Sequence, residues 1–164
     1  MTTRAEDVLR VLDLLGDAGI DAWLDGGWAV DALLGEQTRE HDDLDLAVRI
    51  EDRARYDEVM TASGFRPLRE DVCSDGRCEV DVHFVDLAVT RVDERGIWVY
   101  GGVAYETGEF TGVGTILGRS VACCSPASLV RYHTQYEPDE DDFHDVRALC
   151  ERFGIPLPPH FTPR

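Results

Sequence analysis

The chain contains no lysine, so all sixteen of its basic residues are arginine. A Walker A phosphate-binding loop needs a lysine that reaches the nucleotide phosphates, and the sequence therefore excludes this kind of nucleotide site. Enzymes that form a Schiff base through a lysine amine are excluded for the same reason. Any recognition of phosphate groups must use arginine, histidine, backbone amides or a metal ion.

The sequence also lacks a long apolar segment. No apolar run approaches the roughly 20 residues that a membrane-spanning helix needs. Residues 1–7 carry no apolar stretch typical of a signal peptide. We therefore expect a cytoplasmic protein without membrane association. Its 164 residues suffice for one domain with a core of its own.

A paired cysteine motif is missing as well. The five cysteines are an odd number and include no Cys-x-x-Cys pair. This pattern argues against a zinc site and against a disulfide framework. We expect most of these cysteines to be reduced and several to be partly buried.

What the sequence does have is a large excess of negative charge. It contains 33 acidic against 16 basic residues, which gives a formal net charge of −17 at pH 7. Such a field repels nucleic acid backbones and attracts cationic small molecules, so we expect no nucleic acid partner. Solubility alone is the alternative explanation of the same charge.

Hydrophobic periodicity and turn residues predict helices and strands along the whole chain. Helices are expected over residues 5–18, 28–34, 52–62 and 141–153, and from Ser125 onwards. Strands are expected over residues 20–25, 43–48 and 79–85, and as short antiparallel strands within 96–122. The order predicts an α/β (α+β) fold, and the lack of a repeat or linker predicts one compact domain.

Two aspartates in the second predicted strand are the strongest indication of chemistry. Asp43 and Asp45 are one residue apart, so their carboxylates would project from the same face of a strand. Carboxylates held this close repel each other unless a cation lies between them, and Mg²⁺ binds through carboxylates together with substrate phosphates. A solvated strand face is the alternative explanation, because the neighbouring residues alternate as apolar ones.

A pair of glycines precedes these aspartates. Gly26 and Gly27 follow the first predicted strand, where a glycine turn lets backbone N–H groups approach a phosphate chain. Alternatively, the glycines only turn the chain from a strand into a helix. Together with Asp43 and Asp45 they favour metal-assisted phosphoryl or nucleotidyl transfer.

At these positions the sequence resembles a known family. Gly-Gly-Trp-Ala-Val-Asp at 26–31 and Thr-Arg-Glu-His-Asp-Asp-Leu-Asp-Leu at 38–46 are similar to segments of the small antibiotic nucleotidyltransferases, within the DNA polymerase β-like nucleotidyltransferase superfamily. The lincosamide nucleotidyltransferases are the most similar, followed by the aminoglycoside 2''-nucleotidyltransferases. Val-Asp-Val-His at 80–83 and the segment 133–146 add to the likeness, which covers roughly residues 20–150.

The resemblance implies a mixed β-sheet flanked by helices. Residues 1–122 would form the nucleotidyltransferase core, and residues 123–164 a helical segment that contacts the acceptor and a second protomer. Asp43, Asp45 and Asp81 would hold Mg²⁺, which also grips the nucleoside triphosphate. Asp81 would be the general base on the acceptor hydroxyl, and pyrophosphate would leave.

Further candidate residues surround these acids. Gly26 and Gly27 would contact the nucleotide, with Arg39 as a clamp on its phosphates and His41 beside it. A surface salt bridge is the alternative role of Arg39, and an orienting hydrogen bond that of His41. The acceptor side has one candidate on the third strand and three on the helix after Ser125: His83, Tyr132, His133 and Tyr136. Packing is the alternative role of each.

The predicted function is a magnesium-dependent transfer of AMP from ATP to a hydroxyl of a small cationic antibiotic, by a homodimer. A lincosamide is the first choice of acceptor and an aminoglycoside the second. A toxin–antitoxin nucleotidyltransferase that acts on RNA is one alternative, although the acidic charge argues against RNA binding. A catalytically silent nucleotide-binding protein is another, although all three acids are present.

Overall fold

The computed structural model describes residues 2–86, 97–100, 103–106 and 108–162. Its strands are β1 (Ala22–Leu24), β2 (Leu44–Arg49), β3 (Arg66–Arg69), β4 (Val72–Ser74), β5 (Glu79–Val85), β6 (Ile97–Tyr100), β7 (Val103–Glu106), β8 (Gly112–Ile116) and β9 (Arg119–Cys123). Its helices are α1 (Ala5–Asp17), α2 (Gly26–Leu34), α3 (Arg53–Ala62), α4 (Pro126–Tyr132) and α5 (Glu140–Phe153). Short 3₁₀ turns cover residues 50–52 and 159–161.

Seven of these strands form one mixed sheet, in the order β3-β4-β5-β2-β1-β9-β8. The pairs β2–β5 and β1–β9 are parallel, and the other neighbouring pairs are antiparallel. A separate hairpin consists of β6 and β7. The predicted mixed sheet with C-terminal helices is therefore confirmed.

The parallel pairing of β2 with β5 decides where the acidic residues lie. Asp45 is the register partner of Asp81, and Leu46 is the partner of Val82. Leu46 is fully buried and Val82 is 2% exposed. Because residues paired across two strands project from the same face, the core takes the apolar pair, and Asp45 and Asp81 lie side by side on the other face.

The helix ends follow from local sequence signals. Asp25 caps α2 through a hydrogen bond from the Gly26 amide at 2.9 Å. Ser125 caps α4 and Pro126 occupies its first turn, as predicted. Helix α5 begins with a reciprocal capping box between Asp139 and Asp142.

The helices divide into two groups by their contacts. Helix α1 packs against α3 and β1, whereas α2 packs against β2, β8, β9 and both C-terminal helices. The packing of α4 and α5 on α2 brings the C-terminal segment beside the glycine pair at the start of α2. None of the helices in the described part of the chain is long and apolar enough to cross a membrane.

The five cysteines are all free. Four of them are buried, and Cys73 is half-buried. Burial raises the pKa of the Cys78 and Cys123 thiols to about 12. Thiols that are buried and protonated are poor nucleophiles, so they serve as packing residues. All five cysteines are thus at least partly buried, as expected for several of them, and their reduced state stays a prediction.

Three local predictions need correction. Strand β2 begins at Leu44, so Asp43 lies in the bend before it, where pairing with β5 has not begun. The β3–β4 hairpin was not predicted, since every residue of β3 is exposed and no alternation marks it. Helix α4 ends at Tyr132, so His133 and Tyr136 lie beyond it. After Tyr132 the backbone hydrogen bonds change to a three-residue spacing, from the Thr134 amide to Arg131 and from the Gln135 amide to Tyr132, so the α-helix does not continue.

Candidate active site

A cavity of about 750 Å³ lies where β2 and β5, the start of α2 and the segment after α4 meet. It brings together most of the residues predicted to act on nucleotide or acceptor. Its walls include Gly26, Gly27, Arg39, Asp45, Asp81, His83, Tyr132, His133 and Tyr136. Asp43 and His41 are described by the structure but do not line this cavity.

The Asp45 carboxyl lies in a part of the cavity that disfavours its ionised form. Burial, together with the charges of Asp43, Asp25 and Asp81, raises the pKa of its carboxyl to about 7. Asp43 behaves in the same way, since burial and the charges of Glu79 and Asp81 raise its pKa. Two carboxylates that repel each other in a half-buried position favour a cation between them.

Gly26 is required by the approach of Asp45 to the start of α2. A Cβ atom at this position would lie 2.1 Å from Oδ2 of Asp45, and the backbone has a φ of +54°. Both features exclude an ordinary side chain. The glycine therefore lets the Asp45 carboxylate rest directly on the turn that precedes the helix.

Gly27 is required by two side chains from the loop before β2. Its Cβ would lie 2.5 Å from the ring of His41 and 2.6 Å from Nη2 of Arg39. The guanidinium of Arg39 thus lies against the first turn of α2. A cation there adds to the positive field of the helix N-terminus, and the combination suits an anion such as a phosphate chain.

Arg39 is held by acidic residues of α5. Its Nε and Nη2 donate to the two carboxylate oxygens of Asp145 at 3.1 and 2.8 Å. Asp141 lies 3.2 Å from Nη1 of the same guanidinium. The Asp145 side chain is only 1% exposed, so this is a buried bidentate pair rather than a surface salt bridge.

His41 lies behind the glycine turn. Its ring is buried, and Nε2 makes a hydrogen bond of 2.5 Å with Asp31 of α2. The other Asp31 oxygen accepts hydrogen bonds from the amide and hydroxyl of Thr38 at 2.9 and 2.6 Å. These bonds fix the loop that carries Arg39, and they support the orienting role that was the alternative for His41. A nucleotide contact by its side chain stays a prediction.

Asp81 and His83 line the cavity from β5. Arg69 donates to Oδ2 of Asp81 at 3.1 Å, and Nε2 of His83 lies 3.8 Å from Oδ1. The other ring nitrogen of His83 lies 3.6 Å from Asp25. The Asp25 carboxylate, aided by Asp45 and Asp81, raises the pKa of His83 to about 9 despite the opposing effect of burial. His83 therefore carries a positive charge at neutral pH.

The side of the cavity formed by the end of α4 and the segment after it has a hydrogen-bonded network. His133 is buried, with Nδ1 2.7 Å from the Leu129 carbonyl oxygen and Nε2 3.2 Å from Asp142. The Tyr136 hydroxyl donates to the same Asp142 carboxylate at 2.8 Å. Tyr132 lines the same region, and burial strongly raises the pKa of its hydroxyl. The three acceptor candidates that follow Ser125 are thus brought to one wall, and His83 lines the cavity from β5.

The donor set fits a magnesium ion that arrives with a nucleotide. Within the described residues, no three histidine, cysteine, aspartate or glutamate side chains are arranged to hold a metal by themselves. Mg²⁺ usually takes one or two carboxylates and completes its shell with substrate phosphates and water. Burial first, and then the charges of Asp43, Asp25 and Asp81, raise the pKa of Asp45, and a bound cation would offset both effects. A three-ligand set of Asp43, Asp45 and Asp81 stays a prediction.

Three acidic residues of the cavity were not predicted to be functional. Asp25 lines it next to the glycine pair. Glu70 and Asp71 reach it from the β3–β4 hairpin. Asp25 has a usable signal, because an aspartate before a helix start is a typical N-cap. The two hairpin residues had none, since the hairpin itself was not predicted.

Comparison with known proteins points to one family. A family model described as aminoglycoside-2''-adenylyltransferase matches residues 7–149. A lincosamide resistance protein of Staphylococcus haemolyticus is 25% identical over 154 residues, covering 88% of this chain and 92% of that protein. A 2''-aminoglycoside nucleotidyltransferase of Escherichia coli is 28% identical over 168 positions, covering 93% and 89%.

Solved structures share the fold. A lincosamide antibiotic adenylyltransferase bound to lincomycin has a TM-score of 0.74 at 23% identity, covering 91% of this chain and 98% of that one. ANT(2'')-Ia in complex with adenylyl-2''-tobramycin has a TM-score of 0.69 at 21% identity, covering 92% and 89%. The similarity supports a nucleotidyltransferase fold over nearly the whole chain.

Proposed function

Because the chain belongs to the aminoglycoside-2''-adenylyltransferase family, we propose that it transfers AMP from ATP to a hydroxyl of a small cationic antibiotic and releases pyrophosphate. The product is an inactivated drug. A lincosamide is the first choice of acceptor and an aminoglycoside the second. The observation that carries this proposal is the side-by-side placement of Asp45 and Asp81 next to the Gly26 turn.

The nucleotide binds at the start of α2. The Gly26–Gly27 turn offers backbone amides, and Arg39 adds a guanidinium directly over Gly27. Asp43 and Asp45 are the proposed magnesium ligands, with Asp81 beside them. When bound, Mg²⁺ supplies charge neutralisation at the transferred phosphoryl group.

The acceptor binds between β5 and the segment after α4. Asp81 accepts the proton of the attacking hydroxyl, because an alcohol is a weak nucleophile until a base at hydrogen-bond distance takes its proton. Its Oδ2 is held by Arg69, and Oδ1, which lies 3.8 Å from Nε2 of His83, is the oxygen proposed to accept the proton. His83, Tyr132, His133 and Tyr136 surround the acceptor, and the acidic residues of the cavity attract its positive charge.

A homodimer belongs to the same proposal. Tyr136 has 54% of its surface exposed at the mouth of the cavity, where a second protomer would complete the acceptor pocket. Sedimentation equilibrium over a range of protein concentrations should show a dimer. A monomer at every concentration that also modifies the antibiotic would remove the dimer from the proposal without affecting the chemistry.

The decisive experiment measures the product directly. Purified protein is incubated with ATP, magnesium and either lincomycin or tobramycin, and mass spectrometry looks for the acceptor plus one AMP while pyrophosphate is measured. The Asp45→Asn variant is the matched control and should form no product. Release of pyrophosphate from ATP when tRNA replaces the antibiotic would favour the RNA-directed alternative. Binding of ATP without turnover of any acceptor would favour a silent nucleotide-binding protein.

A further inference from the structure

The start of α5 carries two acidic residues that hold different parts of the cavity. Asp145 accepts two hydrogen bonds from Arg39, at 3.1 and 2.8 Å, and is 1% exposed. Asp142 lies less than one turn earlier and contacts the other wall. Its Oδ1 accepts the Tyr136 hydroxyl at 2.8 Å and lies 3.2 Å from Nε2 of His133. One rigid helix thus reaches both the nucleotide end and the acceptor end.

The contact made by Asp145 offsets an electrostatic repulsion at Arg39. Arg39 places a guanidinium against the first turn of α2, where the helix dipole repels a cation. A buried bidentate carboxylate offsets this repulsion and fixes the plane of the guanidinium. Without it, the long arginine side chain has many rotamers, and few of them keep the guanidinium over Gly27.

The contact made by Asp142 fixes two aromatic side chains. His133 is held on one side by the Leu129 carbonyl and on the other by Asp142. Tyr136 lies beyond the end of α4, so its position depends on the bond from its hydroxyl to Asp142. The second oxygen of Asp142 accepts the Asp139 amide as part of the capping box.

We propose that Asp145 and Asp142 are positioning residues with separate targets. Asp145 positions Arg39 for the nucleotide phosphates, and Asp142 positions His133 and Tyr136 for the acceptor. Neither touches a reacting atom. This inference rests on the proposed function for the identity of the two ligands, while the assignment of each carboxylate to one end of the cavity rests on the contacts alone.

The test compares two variants on the same helix. Asp145→Asn should weaken binding of Mg·ATP about tenfold while lincomycin or tobramycin binding changes less than about twofold, since one charge-assisted bond is lost at one end only. Asp142→Asn should do the reverse. Asp139→Ala, which removes the helix cap but no cavity contact, should lower Tm without changing either dissociation constant. Isothermal titration calorimetry measures the dissociation constants of all three variants, and differential scanning calorimetry measures Tm.

Equal weakening of both ligands by either variant would show a purely structural role and overturn the inference. Tighter Mg·ATP binding by Asp145→Asn would also overturn it, because Asp145 would then compete with the phosphates for Arg39. If Asp145→Asn does not fold, Asp145→Glu replaces it, since a glutamate keeps the charge but moves the carboxylate away from the bidentate geometry with Arg39. A wild-type protein that binds Mg·ATP but modifies neither antibiotic would refute the proposed function, whereas the Mg·ATP measurement would still decide the role of Asp145.

Discussion

The two walls of the cavity are in opposite electrostatic states. The sheet wall, formed by Asp45, Asp81 and His83, gathers carboxylates that repel each other, and burial raises the pKa of Asp45 to about 7. The helical wall, formed by Tyr132, His133 and Tyr136, has its polar groups engaged by neighbours such as Asp142. Under the proposed function a magnesium ion relieves the repulsion on the sheet wall, whereas hydrogen bonds within the protein already hold the helical wall.

This difference separates stability from activity. A residue that repels its neighbours in the free protein lowers the free energy of unfolding, and its replacement by a neutral residue raises it. A residue that holds a hydrogen-bonded network has the opposite effect. Neutral substitutions of the repelling carboxylates on the sheet wall should thus lower activity and raise stability. Substitutions on the helical wall should lower both.

Asp45→Asn should have the largest effect, and it tests whether carboxylate repulsion on the sheet wall lowers stability. We expect turnover to be nearly abolished and magnesium-dependent ATP binding to be weakened, and Asp43→Asn should act in the same direction. In the metal-free protein, Asp45→Asn should raise Tm, because it removes a charge that burial and three neighbouring carboxylates disfavour. Steady-state kinetics and calorimetry measure the two effects. A lower Tm would contradict the description of the sheet wall.

Asp81→Asn should separate base chemistry from nucleotide binding. We expect turnover to fall about 10²–10⁴-fold, the usual contribution of a general base. Binding of Mg·ATP should stay close to that of the wild type, because the proposed task of Asp81 is on the acceptor hydroxyl. Normal turnover in this variant would refute the base assignment.

Gly26→Ala should disturb the sheet wall from the side of α2. A methyl group there would meet Oδ2 of Asp45 at 2.1 Å, in a backbone with φ of +54°. Gly35→Ala is the matched control, since Gly35 has φ of +82° but nothing within 4 Å of its Cβ position. We expect both to be destabilised by about 1–2 kcal/mol from backbone strain. Only Gly26→Ala should lose activity. Equal activity of the two would show that the contact with Asp45 is unimportant.

The pH dependence of stability should come from two groups of the sheet wall, Asp45 and His83. The folded pKa of Asp45 is raised from 3.8 to about 7, so the folded state holds an extra proton in that interval and stability falls as the pH rises through it. The pKa of His83 is raised from 6.5 to about 9, so the stability that its charge provides is complete below the lower value and is lost as the pH rises through the upper one. Chemical denaturation without metal from pH 4 to 9 should show this decline. Asp45→Asn should reduce the loss of stability between about pH 4 and 7, and His83→Gln should reduce the loss between about pH 6.5 and 9.

The smallest expected effect belongs to Tyr136→Phe on the helical wall. The variant loses the hydrogen bond to Asp142 at 2.8 Å and keeps the ring. A single hydrogen bond contributes about 1 kcal/mol, so KM for the acceptor should rise about fivefold. KM for ATP serves as the internal control and should stay unchanged. An unchanged acceptor KM would show that the hydroxyl is not needed to place the ring.

The sheet wall could largely be predicted from the sequence, because its signals are local. The alternation of valines with Asp81 and His83 predicted β5, and the Gly26–Gly27 pair predicted the turn before α2. The parallel pairing that brings Asp45 beside Asp81 connects strands far apart in the sequence, and no local pattern encodes it. The bend at Asp43 was missed because the alternation of Leu44 and Leu46 extends the apparent strand by one residue.

The helical wall was less accessible to prediction. Tyr132, His133 and Tyr136 were chosen for their residue types, but the turn that places Tyr136 beyond α4 was not predicted. Asp145 bonds to Arg39, which is distant in the sequence. Asp142 bonds to Tyr136 and contacts His133, which are close to it in the sequence. Arg39 and Asp145 are separated by 106 residues, so only the folded chain reveals their contact. Side-chain partners of this kind depend on tertiary packing rather than on periodicity.

The in-register alignment of β2 and β5 has a consequence for changes in chain length. Six residue pairs are matched between the two strands, and the chain connecting them passes through α3 and the β3–β4 hairpin. An insertion or deletion near Gly64 or Gly76 can be absorbed at the surface, where a Cβ at either glycine would meet no atom within 4 Å. A single-residue deletion within β5 would instead exchange the buried valines for Asp81 and His83. Engineered changes in the length of this enzyme should therefore be confined to the outer segments of that crossover.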